Sequence, residues 1–178
     1  EDDDLYEKYR YAYYGRKVKG VTMAVAYDIS DKNSIKEEWR VFQDGYYISS
    51  RLIGDELVLL SNYYVDISED ADAVKATCIP ENSSDGKTFS RVAVDDICIM
   101  EEICDTSYLV ASVLDTDDEN TLKTEAVLGA GQNVYCTTDT LYATSTEYNY
   151  NNARMAEVFD YSETVKTQIY KFDIFFLM

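Results

Sequence analysis

The sequence predicts an all-β chain built of four-stranded antiparallel units. Three observations carry this. Apolar and polar residues alternate with period two through short runs rich in Val, Ile, Tyr and Thr, the pattern of half-buried strands. Polar clusters of Asp, Asn, Ser and Gly separate these runs at turn length. One order of strands and turns occurs twice along the chain, and no amphipathic stretch exceeds two helical turns.

The elements follow in order. Thr22–Asp28 (T-M-A-V-A-Y-D) alternates cleanly and runs into the polar cluster Ser30–Ser34. Glu38–Phe42 comes next, then Tyr46–Ile53 and Glu56–Asn62 on either side of Gly54-Asp55, a two-residue hairpin signal. Val74–Ile79 and Ala93–Met100 read as two more strands around a loop at Glu81–Thr88. Tyr108–Leu114 and Lys123–Leu128 flank the acidic turn Thr116–Thr121, and Asn133–Thr137 and Thr140–Thr146 follow the turn Gly129–Gln132. Asn152–Tyr161 has room for one helical turn, and Thr167–Ile174 is the closing strand.

The repeat sets the frame. Ala24–Ile35 (A-V-A-Y-D-I-S-D-K-N-S-I) lies over Ala111–Leu122 (A-S-V-L-D-T-D-D-E-N-T-L), matching Asp28 to Asp115 and Asp31 to Asp118 at an offset of 87. Gly54–Ser61 lies over Thr138–Ser145 at an offset of 84, and Asp173 takes the place of Asp28 in a third copy. Four strands in roughly 40 residues is the module of a β-propeller blade. The expected architecture is therefore a partial β-propeller over residues 21–178, after a lead-in at 1–20. Blades are expected at about 21–63 and 106–146, with an eroded blade or insertion at 64–105 and the start of a further blade at 164–174. A length of 178 residues then corresponds to roughly half a ring. The chain is expected to be a portion of a longer propeller, or a half whose open blade faces favour self-association.

Six segments carry a family resemblance: V-A-Y-D-I-S-D (25–31), Y-Y-I-S-S-R-L-I-G-D (46–55), D-T-S-Y-L-V-A-S (105–112), A-V-L-G-A-G-Q-N-V-Y (126–135), L-Y-A-T-S (141–145) and T-Q-I-Y-K-F (167–172). In order and spacing they resemble the β-propeller domain at the C-terminal end of certain secreted bacterial and archaeal proteins, distantly related to WD-type propellers. The resemblance spans about Val21–Phe172. It implies a propeller fold and an extracellular or cell-surface setting, and it implies no particular reaction. Family propellers are longer, and the four cysteines here are not part of the family pattern.

Composition excludes several function classes. The chain has 34 acidic and 16 basic residues, a net charge of −18, and no histidine. Ser-His-Asp and Cys-His nucleophiles and histidine-ligated zinc are thereby removed. Nucleic acid is not an expected partner, because each phosphate contact needs a cation and this surface repels polyanions. No apolar run reaches the length of a membrane-spanning helix, so membrane insertion is not expected. Cys78, Cys98, Cys104 and Cys136 lack zinc-ribbon or redox spacing; they allow three pairings if fully bridged, with nothing in the sequence to choose among them, and otherwise read as small buried or half-buried thiols on strands.

Few constellations remain. Asp115, Asp117 and Asp118, like Asp28 and Asp31, place oxygen atoms at the alternate positions of a calcium loop. They lack its central glycine and twelfth-position glutamate, and ordinary turn capping accounts for them better, so no cofactor is expected. Tyr148 and Tyr150 alternate with Asn149 and Asn151, flat amphipathic rings beside amides, as on protein- and glycan-recognition surfaces. Arg51 is a cation within a strand of an acidic chain, suited to a carboxylate of a neighbouring blade or to a ligand. The expected function is non-catalytic binding of a protein or glycan at the cell surface. The alternatives are a carboxylate-dependent hydrolase of an extracellular polymer and a purely structural support domain.

Overall fold

A computed structural model describes residues 20–65, 71–100, 103, 106–130, 133–150 and 163–173. Within them the strands are β1 (Val21–Asp28), β2 (Lys36–Asp44), β3 (Tyr46–Ile53), β4 (Glu56–Tyr64), β5 (Glu81–Ser83), β6 (Ser90–Arg91), β7 (Ile97–Ile99), β8 (Ser107–Asp115), β9 (Asp118–Leu128), β10 (Asn133–Cys136), β11 (Thr140–Tyr150) and β12 (Glu163–Asp173). One helix, α1 (Ala71–Thr77), and a 3-10 turn at Val94–Asp96 lie between β4 and β8.

The described strands form three sheets: β1-β2-β5-β6, β3-β4-β8-β9-β7 and β10-β11-β12. The all-β, partial-propeller expectation holds, with antiparallel meanders stacked face to face. The centre of the middle sheet, β4 and β8, is buried on both sides. Leu57 and Leu114 face the first sheet and join Trp39, Val41, Ala24 and Ala26 in one core. Val58, Leu60, Leu109, Ala111 and Val113 face the other way, onto Cys136, Leu141 and Ala143 of the third sheet. Every residue of β8 from Ser107 to Leu114 is buried in consequence. Burying a side chain of this kind stabilises the fold by about 1.5–3 kcal/mol.

The sheets do not coincide with the repeat units. The unit 21–63 divides at Gly45: β1 and β2 belong to the first sheet, β3 and β4 to the middle one. Gly45 permits the transfer because its φ is +102° and an added Cβ would stand 2.6 Å from the Asn62 carbonyl oxygen. The unit 106–146 divides likewise, β8 and β9 pairing with β4 while β10 and β11 start the third sheet. The strand expected to start a further blade, β12, instead pairs along β11. Register confirms the equivalence read from sequence: Glu56 opposes Asp115 and Thr140 opposes Asp173. Bulges follow the equivalent residues Ala26 and Val113. A sheet is thus the second half of one repeat joined to the first half of the next.

The same topology decides between eroded blade and insertion. β4 and β8 are adjacent antiparallel partners, so the chain between them is an insertion. Val74–Ile79 is not a strand. The run A-D-A-V-K-A-T forms α1, where the propensity of three alanines outweighs two β-branched residues, Asp72 sits in the first turn and Lys75 in the last. Ala93–Met100 breaks into the 3-10 turn and β7, which lies parallel to β9. The Glu81–Thr88 loop contains β5, paired with β2 through Phe42 and Gln43. The insertion therefore covers the last strand of two successive sheets and blunts edges that would otherwise template association. It is anchored by Glu81 N–H donating to the buried Asp44 carboxylate (2.9 Å), and the Arg91–Glu81 ion pair (3.5 Å) ties its own β5 and β6 together. The one-turn helix expected at Asn152–Tyr161 lies outside the described residues.

Candidate functional site

Hairpin connectivity sorts the exposed residues onto two rims. The β1–β2, β3–β4, β8–β9 and β10–β11 turns all fall at one end of the sheets, since β4 and β8 pair with Glu56 beside Asp115. Asp28, Asp31, Asp55, Asp115, Asp117, Asp118 and Asp139 gather there. The turns are tied together: Thr116 N–H donates to Asp55 O (2.8 Å), and the Trp39 indole donates to Thr116 O (2.7 Å).

The calcium candidates occupy the β8–β9 turn, where the polar groups serve the backbone. Asp115 Oδ1 accepts from Asp117 N (2.9 Å), and Asp118 Oδ1 accepts from both Asn120 N (3.0 Å) and Asn120 Nδ2 (2.9 Å). Thr121 Oγ1 closes the turn, accepting from Asp115 N (2.8 Å) and donating to Asp118 O (2.7 Å). Asp28 caps Ser30 N (2.8 Å) in the same way. The Asn120 side chain and then its backbone hold the Asp118 carboxyl below its ordinary range, and the Ser30 backbone does so for Asp28. Among the described residues no three Cys, Asp or Glu side chains are grouped to hold a metal ion.

The opposite rim is aromatic. Tyr46 and Tyr47 open β3, Tyr64 ends β4, and each is at least half exposed. Pairing of Tyr46 with Asn62 and of Tyr47 with Ser61 brings the start of β3 beside the end of β4, so all three lie at the same end of the middle sheet. Tyr47 Oη lies 3.1 Å from Ser50 Oγ, which fixes one ring against its own strand. Sequence reading missed these three tyrosines, although the 84-residue offset that matches Ser61 to Ser145 also matches Tyr64 to Tyr148. Tyr148, Asn149 and Tyr150 extend β11 beyond its expected end at Thr146, opposite Val165, Thr164 and Glu163 of β12. Cross-strand pairing with β12 continues a segment that composition alone marked as a loop. Asn151 lies outside the described residues.

Arg51 stands apart from both groups, on β3 near the Gly54-Asp55 turn. Its guanidinium donates to Ser50 O (2.8 Å) and Ser49 Oγ (3.1 Å). No ion pair joins it to a carboxylate among the described residues, so the expected link to a carboxylate of a neighbouring blade is not made among them; the adjacent serines offer nearer acceptors. Burial raises the Cys136 thiol, and the Arg51 charge partly offsets that. Cys78 and Cys98 are also free, Cys98 being exposed rather than buried, and Cys104 lies outside the described residues. One carboxylate pair interacts across the insertion: burial and then the Asp96 charge raise the Glu125 carboxyl, where the 3-10 turn packs on β9.

A family model described as "Beta propeller domain" matches residues 1–175, taking in the lead-in as well as the described strands. Searches of the curated proteins and of the solved structures each find no match.

Proposed function

Starting from the chain's membership of the β-propeller domain family, we propose that it acts as a non-catalytic binding module for a protein or glycan at the cell surface. The observation that supports this reading is the exposed tyrosine rim of Tyr46, Tyr47 and Tyr64 beside Asn62, at the end of the sheets away from the aspartate turns. Tyrosine gives broad contact area at little conformational cost, and its hydroxyl and the amide fix orientation on hydroxylated or peptide partners. Tyr148, Asn149 and Tyr150 belong to the same reading, because their strand ends on the same side. Arg51 is a secondary contact on β3. The aspartate turns serve as backbone caps that keep the far rim acidic, hydrated and unattractive to polyanions.

Binding to a glycan array and to the surface of cells, measured for the whole chain, tests the proposal. Tyr46→Ala combined with Tyr64→Ala should reduce the signal at least about tenfold, as loss of central aromatic contacts does elsewhere. Unchanged binding in that double variant and in Tyr148→Ala with Tyr150→Ala sinks it.

One observation favours a second reading, hydrolysis of an extracellular polymer. The raised carboxyl of Glu125 beside Asp96 is the kind of pair that glycoside hydrolysis employs. Turnover of acidic and neutral polysaccharides that disappears in Glu125→Gln would replace the binding proposal with this one.

A further inference from the structure

The outer faces of the first and third sheets carry large apolar side chains where equivalent residues of the middle sheet are buried. In the first sheet Ala24, Ala26, Trp39 and Val41 face inward, so Val25 and Tyr27 point to the free side, the one no other sheet among the described residues covers. Tyr27 is 52% exposed, while its equivalent Leu114, one repeat on, is 1% exposed against Trp39 and Val41. In the third sheet Leu141, Ala143 and Phe172 face inward, and Tyr135, Tyr142 and Lys171 form one row on the free side, with Ile169 in the next. Ile169 is 71% exposed and Tyr135 67%. Ala111 and Val113, the residues equivalent to Ile169 and Lys171, are 6% and 4% exposed within the stack.

We infer that a second copy of this chain seats the free face of its first sheet on the free face of the third sheet, continuing the internal stack. The two faces are the two halves of an interface the molecule already makes twice. At the middle–third junction Val113 packs in the cluster that holds Phe172. Lys171 and Tyr27 are the repeat equivalents of those two residues. Lys171 of one copy thus comes opposite Tyr27 of the other, and Glu37 is the cross-strand partner of that tyrosine. A cation then meets an aromatic ring, beside a Glu37 carboxylate that Arg40 already pairs. The contact is heterologous, one face against a different one, so it builds a closed ring or an open array according to the rotation at each step. A charge of −18 on each copy opposes it and is screened by salt.

Sedimentation velocity of the whole chain over a concentration series, in low and high salt, provides the test. The expected result is discrete species above the 20.4 kDa monomer that gain with concentration and with salt. Tyr27→Glu and Ile169→Glu, both at exposed positions, should each weaken association at least about tenfold while leaving the near-ultraviolet circular dichroism unchanged. An equimolar mixture of the two variants retains one intact face of each kind. It should restore association and stop at two copies. A 20.4 kDa species alone at about 100 µM overturns the inference, as does association indifferent to both variants. A mixture that fails to restore association overturns the head-to-tail arrangement.

Discussion

The two inter-sheet junctions share a backbone plan and differ in chemistry. Between the first and middle sheets, the fully buried Gln43 donates through Nε2 to Ser61 Oγ (2.7 Å) and Val110 O (3.3 Å), and Ser61 Oγ donates to Asp44 O (2.6 Å). Between the middle and third sheets, Ser145 is the repeat equivalent of Ser61, equally buried, and its Oγ has no hydrogen-bond partner among the described residues. Register supplies the reason. Gln43 pairs with Thr22 and Val127 pairs with Leu109, one repeat on, so valine occupies the place of the glutamine. One junction is held by a polar peg; the other retains half of that peg in an aliphatic contact. The contrast separates what the backbone requires, close packing at these positions, from what each sequence copy happens to supply.

Substitutions can break or sharpen this contrast. The largest effect is expected at the aliphatic junction, where Leu60→Ala should cost about 2–5 kcal/mol in denaturant unfolding. Gly45→Ala tests the crossing into the polar junction: a Cβ 2.6 Å from a backbone carbonyl, at positive φ, should destabilise by several kcal/mol, roughly 2–4. Ser61→Ala removes an acceptor from Gln43 and a donor from Asp44 O, for about 1–3 kcal/mol, whereas Ser145→Ala should fall within about 0.5 kcal/mol of the parent. Equal losses at the two serines would erase the distinction between the junctions. The smallest effects are electrostatic and read in melting temperature against pH. The folded Glu125 carboxyl is raised above its ordinary value of 4.5, so its ionisation penalises the fold as pH rises through that window. Glu125→Gln should therefore melt higher than the parent at pH 7 and match it near pH 3.5. The lowered carboxyls of Asp28 and Asp118 work oppositely, their contribution being present above about pH 3.8 and lost as pH falls through the folded value. Asp118→Asn should narrow the loss of stability on acidification.

Much of this was legible in the sequence. Period-two alternation found the long strands of the three stacked sheets, though not the short β5 and β6, and Gly54-Asp55 marked its hairpin because the first turn residue has φ +63°. The offset aligning Asp28 with Asp115 survived as backbone register. Two kinds of information did not survive. Sheet membership depends on where the chain steps sideways, and a glycine at position 45 looks the same whether it ends a hairpin or hands the chain to another sheet. The insertion misled because Val74, Ile79 and Val92 bury against Tyr63 and Tyr108 in a core whose spacing is irregular. That burial made a helix and a broken segment resemble strands. At the site, the aspartates were visible as turn formers. The tyrosine rim was not, because Tyr46 and Tyr47 sit at a strand start where alternation gives no direction.

The displacement of sheets against repeat units has a practical side for anyone dissecting the gene. A fragment cut at the repeat boundary, ahead of Ala24 or Ala111, would begin with an unpaired half-sheet and end with another. One cut near Gly45 or Gly129, where the chain passes between sheets, would hold intact meanders. Shuffled or truncated versions should therefore be joined at the glycines, because the stretch of sequence that repeats is not the stretch of protein that behaves as a unit.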